Sequence, residues 1–298
     1  LVTGGTGYIG SHTVECLLES NRRVVVLDNL STGHIEVVNL FDRLYGPDLF
    51  AFENVDLANL NDVRKAVEAH SPTGVIDFAA RSLVGESQRE PRLYFETNVI
   101  GFYNLVTACD GIPIVKSTTA ATYGDPLAED LPLREDYQDI VVGEGRFTES
   151  QLMPGSAGFD EILNWYARDV ANKNADLALT EDDHRKLMIP TNVYGLTKLL
   201  DEIILQKLWE TSRAPYTALR YFNVAGASDT GLIGEDHDLE THLIPITFQA
   251  ALGQRESVTV FGSDYDTPDG TAIRDYVSVG DLADAHIRCL DRVTEQPD

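Results

Sequence analysis

Residues 1–10 read LVTGGTGYIG, a short apolar run that leads into a turn with glycine at Gly4, Gly7 and Gly10. Glycine lets the backbone turn tightly and lie against a pyrophosphate, whose charge then rests on the N-terminus of the following helix. Residues 9–19 show helical periodicity, so the turn lies between a predicted strand and a predicted helix. This order of strand, turn and helix predicts a dinucleotide-binding turn.

The first half of the chain alternates short apolar runs with amphipathic helices. Helices are predicted at 60–69 and 92–108, and strands at 23–27, 52–55, 75–78 and 112–115. Apolar runs without polar alternation are typical of parallel strands that helices cover on both faces. The predicted fold class is therefore α/β, with a Rossmann-type doubly wound parallel sheet.

The second half of the chain is less regular. A helix at 194–210 and a strand at 216–222 are followed by glycine- and aspartate-rich loops around one short helix at 243–252. Two domains are predicted, a dinucleotide-binding domain at 1–222 and a smaller C-terminal substrate-binding domain at 223–298. Residues 136–189 lack strong periodicity, and so long an irregular stretch inside a compact domain is expected to be functional or mobile.

The composition limits the partners of the protein. The 298 residues include 23 Lys and Arg against 48 Asp and Glu, a formal net charge of −25. Such a surface repels phosphate backbones and anionic lipids, so neither nucleic acid nor membrane is expected as a partner. The three cysteines are too scattered for a disulfide framework or a metal cluster, and no metal site is predicted. Buried free thiols and the absence of a leader or a long apolar run favour a cytoplasmic protein.

Three polar positions predict redox chemistry on a bound nucleotide. Asp28 ends the second predicted strand, where a carboxylate accepts from a ribose diol and repels a 2′-phosphate, which favours NAD over NADP. Tyr194 and Lys198 are four residues apart and share one helix face. Positive charge near Tyr194 favours the phenolate and lowers its pKa from about 10, which makes tyrosine a usable base. The hydroxyls of the run at 117–119 follow a strand and face the same crevice.

The order of these and later motifs resembles one family, the UDP-glucose 4-epimerases, which are extended short-chain dehydrogenases/reductases. The resemblance covers nearly the whole chain outside residues 136–189, which it implies to be an atypical insertion. It rests on the opening residues 3–12, on Phe78-Ala79-Ala80, on Tyr221-Phe222-Asn223, and on the segments 84–87, 98–101, 234–236, 242–245, 261–265 and 269–276.

The resemblance implies an isomerase that interconverts UDP-galactose and UDP-glucose. Hydride moves reversibly between sugar C4 and tightly bound NAD through a 4-keto intermediate, with Tyr194 as base, Lys198 supporting it and Thr119 in contact with the substrate hydroxyl. The implied NAD-binding residues are Gly4, Gly7, Tyr8, Ile9, Gly10, Asp28, Asn29, Asp56, Leu57, Phe78, Ala79, Ser117, Tyr194, Lys198 and Tyr221. The implied UDP-sugar-binding residues are Thr119, Asn223, His242, Leu243, Phe261 and Arg274. The resemblance also implies a homodimer, formed through the helices at 98–107 and 194–208.

Several positions depart from the family pattern. Ser82 stands where bacterial members carry a lysine, His242 stands where asparagine is frequent, and the family continues beyond Asp298, so the C-terminal domain is expected to be truncated. A 4-epimerase of another UDP-sugar (UDP-GlcNAc, UDP-arabinose or UDP-glucuronate) and an NAD-sensing binding protein stay open as alternatives. A 4,6-dehydratase or decarboxylase is disfavoured, because Ala120-Ala121 follows the hydroxyl where those enzymes carry acidic groups.

Overall fold

A six-stranded parallel sheet forms the centre of the protein in the computed structural model, which describes residues 1–124, 133 and 190–295. The strands lie in the order β3-β2-β1-β4-β5-β6, and each neighbouring pair is parallel. This order is the Rossmann arrangement, with its crevice where the strand order reverses between β1 and β4. The predicted fold class is confirmed. The strands are β1 (Val2–Thr3), β2 (Val24–Asp28), β3 (Phe50–Asn54), β4 (Val75–Asp77), β5 (Ile114–Ser117) and β6 (Tyr216–Leu219).

Helices cover both faces of this sheet. The helices of the described residues are α1 (Tyr8–Glu19), α2 (Ile35–Leu49), α3 (Leu60–His70), α4 (Val84–Arg89), α5 (Pro91–Tyr94), α6 (Gly101–Ala108), α7 (Val193–Ser212), α8 (Leu243–Ala251) and α9 (Val279–Glu295). A π-helical turn (Phe95–Ile100) joins α5 to α6, and a 3₁₀ turn (Ala120–Tyr123) follows β5. Two further strands, β7 (Asn223–Ala225) and β8 (Tyr276–Ser278), pair in a small parallel sheet.

The side chains of β2 explain why its sequence is uniformly apolar. Val25 and Leu27 belong to a core cluster that α3, α6 and α7 share, whereas Val24 and Val26 belong to a second cluster with α1, α2 and α9. Side chains alternate between the two faces of a strand, so a strand that is buried on both faces needs apolar residues at every position. The sequence pattern thus predicted the two-sided burial correctly.

The structure modifies the sequence-based picture of the C-terminal half. Strand β6 ends at Leu219, and the chain starts a new strand at Asn223, so the single strand predicted at 216–222 is too long. Helix α9 packs against the sheet, with Val293 in the same core cluster as β2, and Arg22 holds Asp291 through two bonds of 2.6 and 2.8 Å. The division at residue 222 stays a prediction.

Other predictions concern the cysteines and the insertion. Cys109 is buried, but Cys16 and Cys289 are only partly buried, so the expectation of three buried thiols is wrong for those two. The predicted insertion at 136–189 lies outside the described residues. Within the described part, no helix has the length and apolar character that crossing a membrane requires.

Candidate active site

The glycine-rich turn after β1 packs too closely for side chains at two of its positions. Gly4 has φ +63°, and a Cβ there would lie 2.7 Å from the Ala79 amide nitrogen on the neighbouring β4 loop. A Cβ at Gly10 would lie 2.1 Å from the Gly4 carbonyl oxygen, so the start of α1 is packed directly onto the turn. Helix α1 has no side-chain cap. Its first amide groups therefore point beyond the carboxyl end of β1, which is the arrangement that holds a pyrophosphate.

Asp28 lies beside this turn at the end of β2. One of its carboxylate oxygens accepts from the Thr6 amide at 3.1 Å and the Thr6 hydroxyl at 2.6 Å, and the other accepts from the Leu30 amide at 2.9 Å. Asn29 donates to Asp56 at 3.0 Å. Three of the side chains that the resemblance implies for NAD thus occur at one edge of the sheet, next to the turn.

Thr119 and Tyr194 meet at the start of α7. The side chain of Thr119 lies near enough to Tyr194 to favour its phenolate and lower its pKa, although the two residues are far apart in the chain. Asn192 caps α7 by accepting from the Gly195 amide at 2.8 Å, and a Cβ at Gly195 would lie 2.6 Å from the Ala121 carbonyl oxygen. This close contact brings the first turn of α7 against the 3₁₀ turn that follows β5. The catalytic roles of Thr119 and Tyr194 stay a prediction.

Lys198 projects from the next turn of α7 toward the end of β5. Its Nζ donates to the Ser117 carbonyl oxygen at 2.9 Å, and its side chain is 2% exposed. The Ser117 hydroxyl is 2.5 Å from the Tyr221 hydroxyl. Three of the predicted site residues, Ser117, Lys198 and Tyr221, therefore form one hydrogen-bonded group at the carboxyl end of β5.

The electrostatics of this group differ from the sequence-based expectation. Burial raises the pKa of Tyr194, against the opposing effects of the hydrogen bond from Thr119 and the positive charge of Lys116. Burial and the repulsion of Lys116 lower the pKa of Lys198 to about 7. The predicted lowering of the Tyr194 pKa is therefore wrong for this structure, because desolvation of the phenolate outweighs the nearby positive charge.

A buried charge network that sequence reasoning missed lies behind Lys198. Lys116, on β5, is fully buried, and its Nζ lies 2.5 Å from Asp77 of β4 and 3.0 Å from Asp201 of α7. Asp77 also accepts from the Thr3 hydroxyl and, at 3.2 Å, from the Ala79 amide. Burial raises the pKa of Asp201 to about 6, against the positive charges of Lys116 and Lys198. The signal that could have revealed the network is a lysine inside an otherwise apolar strand.

Asn98 ties the loop after β4 to α7. It lies in the π-helical turn with no exposed surface, accepts from the Arg81 amide at 2.8 Å, and donates to the Arg81 carbonyl oxygen at 3.1 Å. Its amide also donates to the Thr197 hydroxyl at 3.0 Å, next to Lys198. Irregular helical turns of this kind are frequent at functional sites. Asn98 therefore positions the helix that carries Tyr194 and Lys198.

The residues implied for the UDP-sugar are more exposed. Phe261 is 98% exposed and Leu243 is 57% exposed. Asn223 donates to the Asp275 carbonyl oxygen at 2.9 Å, and Arg274 donates to the carbonyl oxygen of the preceding residue at 2.8 Å. His242 lies between two glutamates, as described below. The structure does not bring these side chains into contact with Tyr194, and their contacts with a ligand stay a prediction.

The sheet order, the glycine-rich turn and the tyrosine–lysine pair together define the class of protein to which this chain belongs. Residues 164–298 match the model of the NAD dependent epimerase/dehydratase family, and residues 1–138 match the model of GDP-mannose 4,6 dehydratase. Within this class, the chain is similar to curated UDP-glucose 4-epimerases. The UDP-glucose 4-epimerase of Halalkalibacterium halodurans is 40% identical over 289 residues, which cover 96% of this chain and 69% of the relative. That of Lacticaseibacillus casei is 38% identical, over 97% of this chain and 70% of the relative.

Solved structures agree with these relatives. The UDP-glucose 4-epimerase of Brucella ovis in complex with NAD is 34% identical, with a TM-score of 0.73 over 99% of this chain and 73% of that chain. The enzyme of Bifidobacterium longum in complex with NAD⁺ and UDP is 27% identical, with a TM-score of 0.71 over 98% and 73% of the two chains. The chain belongs to the UDP-glucose 4-epimerase family, and the predicted resemblance is confirmed.

Proposed function

We propose that this protein interconverts UDP-galactose and UDP-glucose by reversible hydride transfer at sugar C4, using tightly bound NAD. The observation that carries the proposal is the contact of Thr119 with Tyr194 beside Lys198, at the carboxyl end of β5. In a doubly wound sheet this edge is where ligands bind. Membership of the epimerase family supplies the substrate class.

The cofactor fits the glycine-rich turn and its neighbours. The uncapped start of α1 takes the pyrophosphate, and the carboxylate of Asp28 takes the adenosine ribose in place of its contact with Thr6 or Leu30. NAD, when bound, supplies the acceptor and the donor of the C4 hydride. Lys198 and Tyr221, which both contact Ser117, hold the nicotinamide end.

Tyr194 moves the proton of the sugar 4-hydroxyl. The side chain of Thr119 lies beside Tyr194 and favours its phenolate, so the Thr119 hydroxyl is placed to bridge the substrate and the phenol. Because burial raises the pKa of Tyr194, the base needs positive charge close to it when it deprotonates. Lys116 and Lys198 are the buried cations of the described chain that surround this position.

A 4,6-dehydratase is the second candidate, since residues 1–138 match the model of that name. Elimination from a 4-keto sugar needs further acid–base groups beside the hydroxyl that contacts the tyrosine. The two positions after Thr119 hold Ala120 and Ala121, which cannot transfer a proton. This observation favours epimerisation.

Assembly and location are part of the proposal. The helices of the expected dimer surface pack side by side, since Tyr94, Phe95 and Val99 share a core cluster with Leu199 and other residues of α7. Two copies that join these helices would form a homodimer, which light scattering after gel filtration would detect.

The cytoplasm is the proposed location, since UDP-sugars and a protein with three free cysteines both suit a reducing compartment.

The purified chain should convert UDP-galactose to UDP-glucose without added NAD, as measured by separating the two sugars. UDP-GlcNAc and UDP-glucuronate in parallel give the substrate range. Tyr194→Phe should lower kcat by about 10²–10⁴-fold while NAD stays bound, because it removes only the base. Tyr45→Phe, in the partly buried margin of the core, is the matched control and should keep full turnover. If the chain converts none of the three UDP-sugars, the epimerase proposal is wrong. Full activity of Tyr194→Phe would show that Tyr194 is not the base.

A further inference from the structure

Four potential metal ligands converge in the loop that precedes α8. They are Glu235, His237, Glu240 and His242, and one ligand atom of each lies within 4.8 Å of all the others. The Nδ1 atom of His242 is 2.8 Å from Glu235 and 3.1 Å from Glu240. The Nδ1 atom of His237 is 3.6 Å from Glu235 and 3.2 Å from Glu240. Each imidazole therefore faces both carboxylates.

These distances are those of a tetrahedral metal site. Zinc binds histidine nitrogen and carboxylate oxygen at about 2.0–2.2 Å, so neighbouring ligand atoms of a tetrahedron lie about 3.3–3.5 Å apart. The two Nδ1 atoms lie 3.6 and 2.8 Å from the same oxygen of Glu235, and 3.2 and 3.1 Å from the two different oxygens of Glu240, so one oxygen of Glu240 would move to the centre when the ion binds. A bound ion would take the place of the Nδ1 protons, which each imidazole otherwise shares between two carboxylates.

The charge of the cluster also favours a bound cation. The side chains of Glu235 and Glu240 are only 8% and 6% exposed, so two carboxylates are buried together. In the described part of the chain, the ion pairs of both carboxylates are made with His237 and His242. Buried like charges are unfavourable unless a cation offsets them. A divalent ion at the centre would neutralise both carboxylates.

We infer that Glu235, His237, Glu240 and His242 bind one divalent transition-metal ion, of the chemistry of Zn²⁺, in a closed structural site. Two nitrogen and two oxygen donors suit zinc better than magnesium or calcium, which prefer oxygen alone. Four protein ligands leave no open position, so the ion would stabilise structure and would take no part in the sugar chemistry. His242 would then bind the ion through Nδ1 in place of the UDP-sugar contact that the resemblance implies. The prediction from the sequence that there is no metal site considered only the cysteines. The spacing E-x-H-x-x-E-x-H at 235–242 is the signal it overlooked.

The loop that holds the four ligands contacts the nucleotide-binding region. His34, in the segment after β2, contacts the Asp236 carbonyl oxygen at 3.2 Å, and the ring of Tyr8 meets that of His237 edge-on at 6.5 Å. Tyr8 also donates to the Gly226 carbonyl oxygen at 2.7 Å. The loop that holds the ligands therefore rests on the glycine-rich turn. An ion in this loop would fix it against the nucleotide-binding region.

The test is made on the full chain, stripped with a chelator and titrated with Zn²⁺ alone. We expect about one zinc per chain by elemental analysis after gel filtration, and a Tm several degrees higher than that of the stripped protein. His237→Asn should weaken zinc binding at least tenfold. The matched control is His70→Asn, which removes a histidine paired with Glu53 at 2.7 Å outside the cluster and should bind zinc as tightly as the unchanged chain.

The unchanged chain alone can overturn the inference. Failure to retain stoichiometric zinc, together with an unchanged Tm, would show that the cluster is only a set of histidine–carboxylate hydrogen bonds. Equal zinc affinity of His237→Asn and His70→Asn would place the bound ion elsewhere. Substitution with Co²⁺ provides a further measure that does not depend on variants, because a tetrahedral site gives an intense visible absorption and a six-coordinate surface site does not. These readouts are independent of epimerase activity.

Discussion

The region around the six-stranded sheet and the segment 223–276 are stabilised in different ways. In the sheet region, strands and helices bury large apolar side chains on both faces, as with Phe41 and Phe102, which are each 1% exposed. In the segment, α8 contains no buried residue. Large apolar side chains there are exposed by more than half: Leu232, Leu239, Leu243, Phe248, Leu252, Val260, Phe261, Tyr265 and Ile273.

Polar contacts shape the segment instead. Asp269 accepts from the Thr271 amide at 3.0 Å and from its hydroxyl at 2.8 Å, and Glu240 accepts from two amides at the start of α8 at 2.7 and 2.8 Å. Such local bonds hold loops without enclosing a core. The comparison indicates that the nucleotide-binding region is a stable scaffold, whereas the predicted UDP-sugar region keeps apolar surface available for a ligand or for further protein surface.

The largest expected effect on stability comes from a substitution in the sheet region. Lys116→Met should destabilise the protein by about 3–5 kcal/mol, because Asp77 and Asp201 would stay buried without their shared cation. The midpoint of urea unfolding measures this loss. Lys65→Met is the control, since Lys65 pairs with Asp62 at 2.8 Å on the surface and its loss should leave the midpoint unchanged. Equal midpoints of the two variants would contradict a role for the buried network.

A smaller effect is expected from pH, through His286 on α9. Its side chain has no exposed surface, and burial lowers its pKa to about 4, assisted by the positive charge of Lys198 and opposed by its bond to Leu282. The unfolded chain takes up the proton near pH 6.5 and the folded chain does not. Stability is therefore fully present above about pH 6.5 and falls by about 3 kcal/mol as the pH decreases to about 4.

The free energy of unfolding, measured by urea titration between pH 7 and 4, checks this dependence. His286→Leu should flatten the curve in that range, because the variant has no imidazole to protonate. A curve as steep as that of the unchanged chain would assign the acid sensitivity to other groups.

The smallest effect on stability is expected in the segment 223–276. Phe261→Ser should change the free energy of unfolding by less than about 0.5 kcal/mol, because the ring is 98% exposed, and should raise KM if the ring contacts the UDP-sugar. Phe41→Ala is the matched change in the sheet region and should cost about 3–5 kcal/mol. Similar losses for the two variants would remove the distinction between the regions, and an unchanged KM would remove Phe261 from the predicted site.

The sequence by itself determined the sheet, the glycine-rich turn and the residues of the predicted reaction centre. These signals are local, since apolar periodicity defines a strand or helix and a spacing of four places Tyr194 and Lys198 on one helix face. Such patterns do not depend on which element packs against which. The match to the family followed from the order of the motifs along the chain.

Only the tertiary structure decided the electrostatics of the site. Lys116, Asp77 and Asp201 come from three elements that are separate in sequence, so no local pattern shows that they meet. The pKa of a phenol depends on its burial and on every charge around it. The spacing of Tyr194 and Lys198 alone therefore predicted the wrong direction for the shift of the Tyr194 pKa. The return of α9 to the sheet likewise depends on long-range packing, which no local pattern contains.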